Sequence, residues 1–240
     1  MSGVCLPAVP HTLDTGDYGS VTRFPFALSL GTPGDLKEVR RLARDAVKWL
    51  RKTKRTDQWA KPWPDRVGQK ERMLSDLIQG KTWLVWDGDI AAATITIDTE
   101  EPRAAQGQPV WPPHKRHELA LYVRRVIVRR SYARLGLGAG LLDWAADVAK
   151  RDHGATLIRI DVWTTNRGLH AYYEKQRFTP CERRDPRELA DYPSQALYER
   201  DVDQAGSDYM KLFIEAESPP QRQRRWRIYP KRPRKPKSSY

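Results

Sequence analysis

Cysteine is almost absent from this 240-residue chain: there are two, Cys5 and Cys181, far apart. Two such cysteines make no disulfide framework. That excludes a small cross-linked secreted scaffold and fits a reducing, cytoplasmic setting. Long apolar runs are missing as well. No stretch approaches the roughly 20 apolar residues of a membrane span, and the most apolar strand-like run, Ile90 to Ile97, is short and carries threonine. The opening Met-Ser-Gly-Val-Cys-Leu-Pro has no basic segment, so no signal peptide is read. Acidic charge is in short supply. Lys and Arg number 43 against 30 Asp and Glu, a formal net charge of +13. With apolar residues at 39% and charged ones at 30%, the composition suits a folded part joined to something solvated.

The excess charge is concentrated. Residues Pro219 to Tyr240 hold nine basic and no acidic side chains, which is +9 of the +13, together with five prolines. Proline lacks the backbone donor that helices and sheets need, and little apolar surface is left there to offset ordering entropy. A disordered basic tail is expected. Such a tail binds phosphate backbones by counterion release, with Trp226 and Tyr229 available to stack on bases; a tail that merely solubilises is the other reading. Residues 1–20 show no period and read as a loose arm. The expected organisation is therefore an arm (1–20), one α/β domain (21–203), and a linker with the basic tail (204–240).

Within the domain the hydrophobic period changes several times. Phe24 to Leu30 reads as a strand. Thr32-Pro33-Gly34-Asp35 is a helix start, and Leu36, Val39, Leu42, Ala43, Ala46, Val47 and Leu50 follow at helical spacing. A loop with Trp59, Trp63 and two prolines precedes a second helix, Val67 to Gln79. Thr82 to Trp86 and Ile90 to Ile97 flank Asp87-Gly88-Asp89, a hairpin signal. Then come a strand from Leu119 to Val128, a helix from Gly136 to Arg151, a strand from Thr156 to Trp163 and a helix from Arg167 to Gln176. Final strands are expected at Phe178 to Arg183 and Gln195 to Arg200.

The passage from the Leu119–Val128 strand into the next helix reads Arg129-Arg130-Ser-Tyr-Ala-Arg134-Leu-Gly136-Leu-Gly138-Ala-Gly140. Glycine lets a backbone approach closely, and a helix start leaves N–H groups unpaired under a dipole that favours anions. Strand, glycine-rich turn and helix together make a phosphate cradle. It is not a P-loop, because Ala139-Gly140-Leu141 stands where Gly-Lys-Ser/Thr is required. A dinucleotide fingerprint needs a third glycine where Leu141 stands, and a tighter turn. Glycines that only allow helix and strand to pack closely remain a further reading.

Downstream the sequence decides. Leu157 to Phe178 contains Asp161, Trp163, Asn166 and then Tyr172-Tyr173-Glu174-Lys-Gln-Arg177-Phe178. The glycine turn after a strand, followed by an Asn and a helix carrying Tyr-Glu-Lys-x-x-Phe, resembles the GNAT superfamily of acyl-CoA-dependent N-acetyltransferases. The resemblance is motif-specific over Tyr122 to Phe178. It implies a mixed sheet flanked by helices and splayed between its fourth and fifth strands, with acetyl-CoA as co-substrate and no metal. It places pantetheine along Val126, Ile127 and Val128, with a backbone N–H there polarising the thioester carbonyl. The pyrophosphate falls on the N–H groups of Arg134, Leu135, Gly136, Leu137, Gly138 and Ala139. Asn166 reaches the pantetheine arm, and Tyr173 protonates the leaving thiolate. Two positions depart from the family pattern. Ala133 stands in place of Arg or Gln, and Arg177 in place of Gly, where a slightly different helix end is expected.

The acceptor is expected to be a primary amine of a small molecule, attacking the thioester directly. Its ammonium form must first lose a proton, and Glu118 is the candidate base, with Asp161 second. Cys181 reads as an ordinary buried thiol, and His114 and His117 have too few neighbours for zinc. Trp49, Asp57, Gln58, Trp59 and Trp63 suggest an aromatic cleft that suits an organic cation, or plain packing. A macromolecular acceptor (tRNA, rRNA or protein) docked by the basic tail is the alternative. The sequence leaves oligomeric state open, a homodimer included.

Overall fold

Alternating periods of two and 3.6 become one eight-stranded sheet with helices on both faces. The computed structural model describes residues 25–53, 56–59, 62–104, 107–181 and 192–217; the expected arm (1–20) and basic tail (219–240) lie outside the described residues. The elements are β1 (Phe26–Leu30), α1 (Leu36–Thr53), α2 (Arg66–Ile78), β2 (Thr82–Asp87), β3 (Ile90–Asp98), β4 (Ala120–Val128), α3 (Leu137–His153), β5 (Leu157–Val162), α4 (Arg167–Lys175), β6 (Thr179–Pro180), β7 (Ala196–Asp201), α5 (Tyr209–Leu212) and β8 (Phe213–Ala216). The strand order is β6-β7-β5-β4-β3-β2-β1-β8. Neighbours run antiparallel except β4 with β5 and β1 with β8.

Each face of the sheet has its own core. Val39 and Leu42 of α1 and Met73 and Leu77 of α2 pack on Leu84, Trp86, Ala91 and Ile127. On the other face Leu141, Leu142, Ala145 and Val148 of α3 meet Leu28, Val85, Ile95, Leu121, Val123, Ile158 and Ile160. The stripe predicted for α3 is thus the buried one.

Two features of β4 position the site. Its pairing with β5 stops at Val123 opposite Ile160, although β4 continues to Val128 and β5 to Val162. The sheet is split at that end. Against β3, the register jumps from Thr96–Arg124 to Thr94–Ile127. That is a bulge, with Arg125 at φ 49°, and it raises the local twist as β4 leaves β5.

The folded chain runs further than the sequence suggested. Beyond residue 203, α5 and β8 return to the sheet, with Phe26 opposite Phe213 and Ser29 opposite Ala216. Trp144 of α3 donates its indole N–H to Glu215 at 2.7 Å. A four-residue strand after Gln-Ala-Gly-Ser-Asp is too short to carry a period, which is why 204–217 read as linker. The expected strand at Phe178 to Arg183 shrinks to Thr179–Pro180, and residues 182–191 lie outside the described ones.

Arg177 also departs from expectation. It takes φ 66° and donates its backbone N–H to Glu174 at 2.9 Å, so the left-handed helix end is kept despite the side chain. An L-residue there costs roughly 1–2 kcal/mol, partly offset because glycine loses more entropy on folding. Arg177→Gly is expected to stabilise the fold by about 0.5–1 kcal/mol, read as a rise in the urea midpoint with an unchanged slope.

Candidate active site

The split between β4 and β5 opens a cleft of about 1320 Å³. Its walls are the ends of these strands, the first turn of α3, α4, and the inner faces of α1 and α2. Arg129 donates its N–H back to Ala92 of β3 at 2.8 Å. Strand alternation therefore turns the backbone of Ile127 toward β3 as well, and that of Val128 toward the gap. All three strand residues expected to meet pantetheine line the cleft; by this alternation Val128 also turns its backbone groups toward it.

The expected glycine-rich turn into a helix start forms. The chain turns through Arg130–Tyr132, Arg134 sits at φ 70°, and Gly136 caps α3 at φ 79°. The first N–H of α3 to find an intrahelical acceptor is that of Gly140, on Gly136. Those of Leu137, Gly138 and Ala139 are the helix's orphan donors, directed by the helix dipole. Arg130 and Arg134 line the cleft alongside them, with Ala133, Gly136, Leu137, Gly138 and Ala139; Leu135 packs on the core instead. Two of the glycines are needed for space. A Cβ on Gly138 would lie 2.7 Å from the Tyr172 hydroxyl, and one on Gly140 2.8 Å from Leu212. Gly138→Ala is expected to displace the first turn or Tyr172 and raise KM for acetyl-CoA about tenfold, as lost charge-assisted hydrogen bonds would. Steady-state kinetics with acetyl-CoA varied checks this.

Asn166 caps α4, accepting the N–H of Leu169 at 3.1 Å. Its amide donates to Gln58 of the α1–α2 loop. The same loop is tied down at Asp57, which accepts the Trp163 indole N–H at 2.8 Å and the Thr165 hydroxyl. These bonds hold the Asp57 carboxyl below the usual range. The loop thus straps across the mouth of the split, fastened to the residues that follow β5.

Tyr173 and Asp161 line the same cleft. Tyr173 is buried and packed edge-on between Tyr172 and Phe178, with ring centroids 5.4 and 5.5 Å apart. Burial pushes its phenol above the ordinary value, so it keeps its proton. Asp161, on β5 where β4 has turned away, accepts a hydrogen bond from Tyr192. Burial pushes its carboxyl up to about 6, against the lowering influence of Tyr192 and the nearby Arg124 and Arg72.

The first-choice base, Glu118, is elsewhere. It precedes β4 at the opposite end of the strand, eight residues and about 26 Å from Val126 at 3.3 Å per residue. There it pairs with the buried Arg159 and lies 3.9 Å from Lys115. It lines a separate hollow of about 270 Å³ with Glu101, Arg116 and Tyr122. A carboxylate at the wrong end of the right strand is invisible to a pattern that records only order along the chain. Cys181 stays protonated, its thiol pushed up to about 12 by burial. Two of the three tryptophans expected to attract an organic cation already carry protein cations: Arg72 lies 4.5 Å over Trp63, and Arg130 lies 4.1 Å over Trp49.

Together these features define a class of acyltransferases that draw their acyl group from coenzyme A. The family is plain from the sequence: the model of the acetyltransferase (GNAT) family matches residues 42–178, and the chain belongs to it. Acetyl-CoA is the acetyl donor of that family. Solved structures share the fold. A GNAT-family acetyltransferase from Listeria monocytogenes is 17% identical with a TM-score of 0.55, covering 73% of this chain and 94% of its own. The PaiA N-acetyltransferase of Thermoplasma acidophilum, solved in complex with coenzyme A, is 16% identical with a TM-score of 0.53, covering 74% and 99%. A Streptococcus agalactiae GNAT-family acetyltransferase is 16% identical with a TM-score of 0.52, covering 73% and 95%. No curated protein sequence matches the chain. No helix among the described residues is long and apolar enough to cross a membrane.

Proposed function

We propose that the protein transfers the acetyl group of acetyl-CoA to a primary amine of a small molecule by direct attack on the thioester. The observation that carries this reading is the pairing of Asp161 and Tyr173 in one cleft, a carboxyl near neutrality and a phenol that keeps its proton. Asp161 takes the proton from the acceptor's ammonium. The neutral nitrogen then bonds to the acetyl carbon, and the Val128 backbone N–H, turned into the gap, supports the negative charge that gathers on the carbonyl oxygen. As the carbon–sulfur bond breaks, Tyr173 gives its proton to the leaving sulfur, and the second proton shed by the nitrogen returns to the Tyr173 phenolate. The Leu137, Gly138 and Ala139 N–H groups, with Arg130 and Arg134, hold the pyrophosphate, and Asn166 faces the pantetheine arm.

A second reading puts the accepting amine on a macromolecule, tRNA, rRNA or protein. It is favoured by exposed cations one helical turn apart on α1, Arg40, Arg44 and Lys48, in a chain whose residues 219–240 add nine more. One assay separates the two. Isotope-labelled acetyl-CoA is incubated with the protein and a cell extract, which is then fractionated into metabolites, protein and RNA. Label in a small amine supports the first reading; label confined to RNA or protein overturns it in favour of the second. In the latter case removing residues 219–240 should weaken a salt-sensitive interaction.

A further inference from the structure

The cleft as a whole is lined for negative charge. Among the described residues, twelve Lys and Arg side chains line the cleft and a single carboxylate does, Asp161. Some of these cations sit beside the phosphate cradle. Asp45 of α1 accepts the Arg130 N–H at 2.9 Å, which joins that stretch of α1 to the loop where the phosphates of coenzyme A belong. Arg72 is placed differently. It projects from α2 and stacks on Trp63; Trp63 meets Tyr192 edge-on at 5.0 Å, and Tyr192 bonds to Asp161. A continuous row thus runs from the guanidinium to the base.

The neighbouring arginines are already engaged. Arg124 bonds Asp98 at 2.7 Å, and Arg125 pairs with Asp76 and reaches Thr96 at 3.3 Å. Arg72 has no carboxylate partner among the described residues, and it is half-buried. An arginine of this kind, placed over an indole, offers donors in a fork suited to a carboxylate or phosphate. The aromatic face that would have drawn an organic cation is covered by that same group.

Resting on the acetyl-transfer reading above, we infer that the acceptor is an amine that also carries a carboxylate or phosphate, the ammonium meeting Asp161 and the anion meeting Arg72. The transfer itself is unchanged. The nitrogen bonds to the acetyl carbon, the carbon–sulfur bond breaks, one ammonium proton passes to Asp161, Tyr173 gives its proton to sulfur, and the second proton shed by the nitrogen restores the Tyr173 phenol. The anionic group takes no part in the chemistry; it fixes the distance and direction of the amine.

Matched acceptors test this with the full-length enzyme: glycine against glycinamide, phosphoethanolamine against ethanolamine, and spermidine as a pure cation. In each pair the anionic member is expected to show kcat/KM higher by about tenfold or more, the worth of one charge-assisted contact. Which pair shows the larger ratio distinguishes carboxylate from phosphate. Arg72→Gln should bring the ratio close to one by raising KM of the anionic member, and Arg72→Lys should restore part of it. Equal or better turnover of spermidine, ethanolamine and glycinamide overturns the assignment and leaves acetyl transfer standing. Calorimetry on the coenzyme A-bound enzyme supplies the other arm. Anionic amines that bind through Arg72 without being acetylated would support this site and count against the acetyl-transfer reading; failure of both anionic members to bind overturns the site.

Discussion

Asp161→Asn is expected to lower kcat/KM for the amine by about 10²–10⁴-fold, the usual contribution of a positioned general base. The wild-type profile should climb with pH through about 6, where the Asp161 carboxyl loses its proton, and then level off. A base must be unprotonated, so activity falls below that point. The variant should lose this rise. Asparagine keeps an oxygen to accept the Tyr192 hydrogen bond, so the pocket is retained. Stability runs the opposite way. The folded carboxyl titrates above the ordinary 3.8, so the folded state holds the proton more tightly and an ionised Asp161 costs stability at neutral pH. The variant should therefore be no less stable at pH 7 than the parent. Pre-steady-state binding of acetyl-CoA should be unaffected. A variant with full activity and the same pH profile would exclude Asp161 as the base.

Tyr173→Phe removes one oxygen from a ring already packed between Tyr172 and Phe178. Without a donor for the leaving thiolate, kcat is expected to drop about 10²-fold or more, with KM for acetyl-CoA within a few-fold of the parent. Burial keeps the wild-type phenol protonated, so no part of the acid limb should move. A change in KM alone would mean that the hydroxyl binds rather than donates. A thioester with a more acidic thiol needs less protonation and should recover much of the lost rate, a response that a merely distorted cleft would not give.

Local patterns carried most of the fold. Leu141, Ala145 and Val148 announced a helix face, and the Asp87-Gly88-Asp89 turn a hairpin, because burial and turn chemistry act within a few residues. The glycine-rich turn into α3 was equally legible, since a helix start and its glycines are contiguous. Asp161 against Glu118 was not. Both are lone carboxylates on neighbouring strands, and what separates them is which end of the strand each occupies after a parallel crossover. The bulge at Arg125 and the split it accompanies decide that geometry, and neither leaves a mark in hydrophobic period. The covering of Trp49 and Trp63 by arginines was likewise hidden. Arg130 lies 81 positions from its indole, whereas Arg72 is only nine from Trp63 but on a different element.

The return of the chain after β7 changes what a shortened protein would be. Leu212 and Phe213 press on Gly140 in the first turn of α3, and β8 covers the free edge of β1. A cut at residue 204, the boundary that composition alone recommends, would strip a strand from the sheet and unseat the apolar side chains behind the glycine-rich first turn of α3. A cut at 219 spares all of these contacts. Any loss of acetyl-CoA affinity after the first cut would report damaged scaffolding; only the second isolates the contribution of the basic residues themselves.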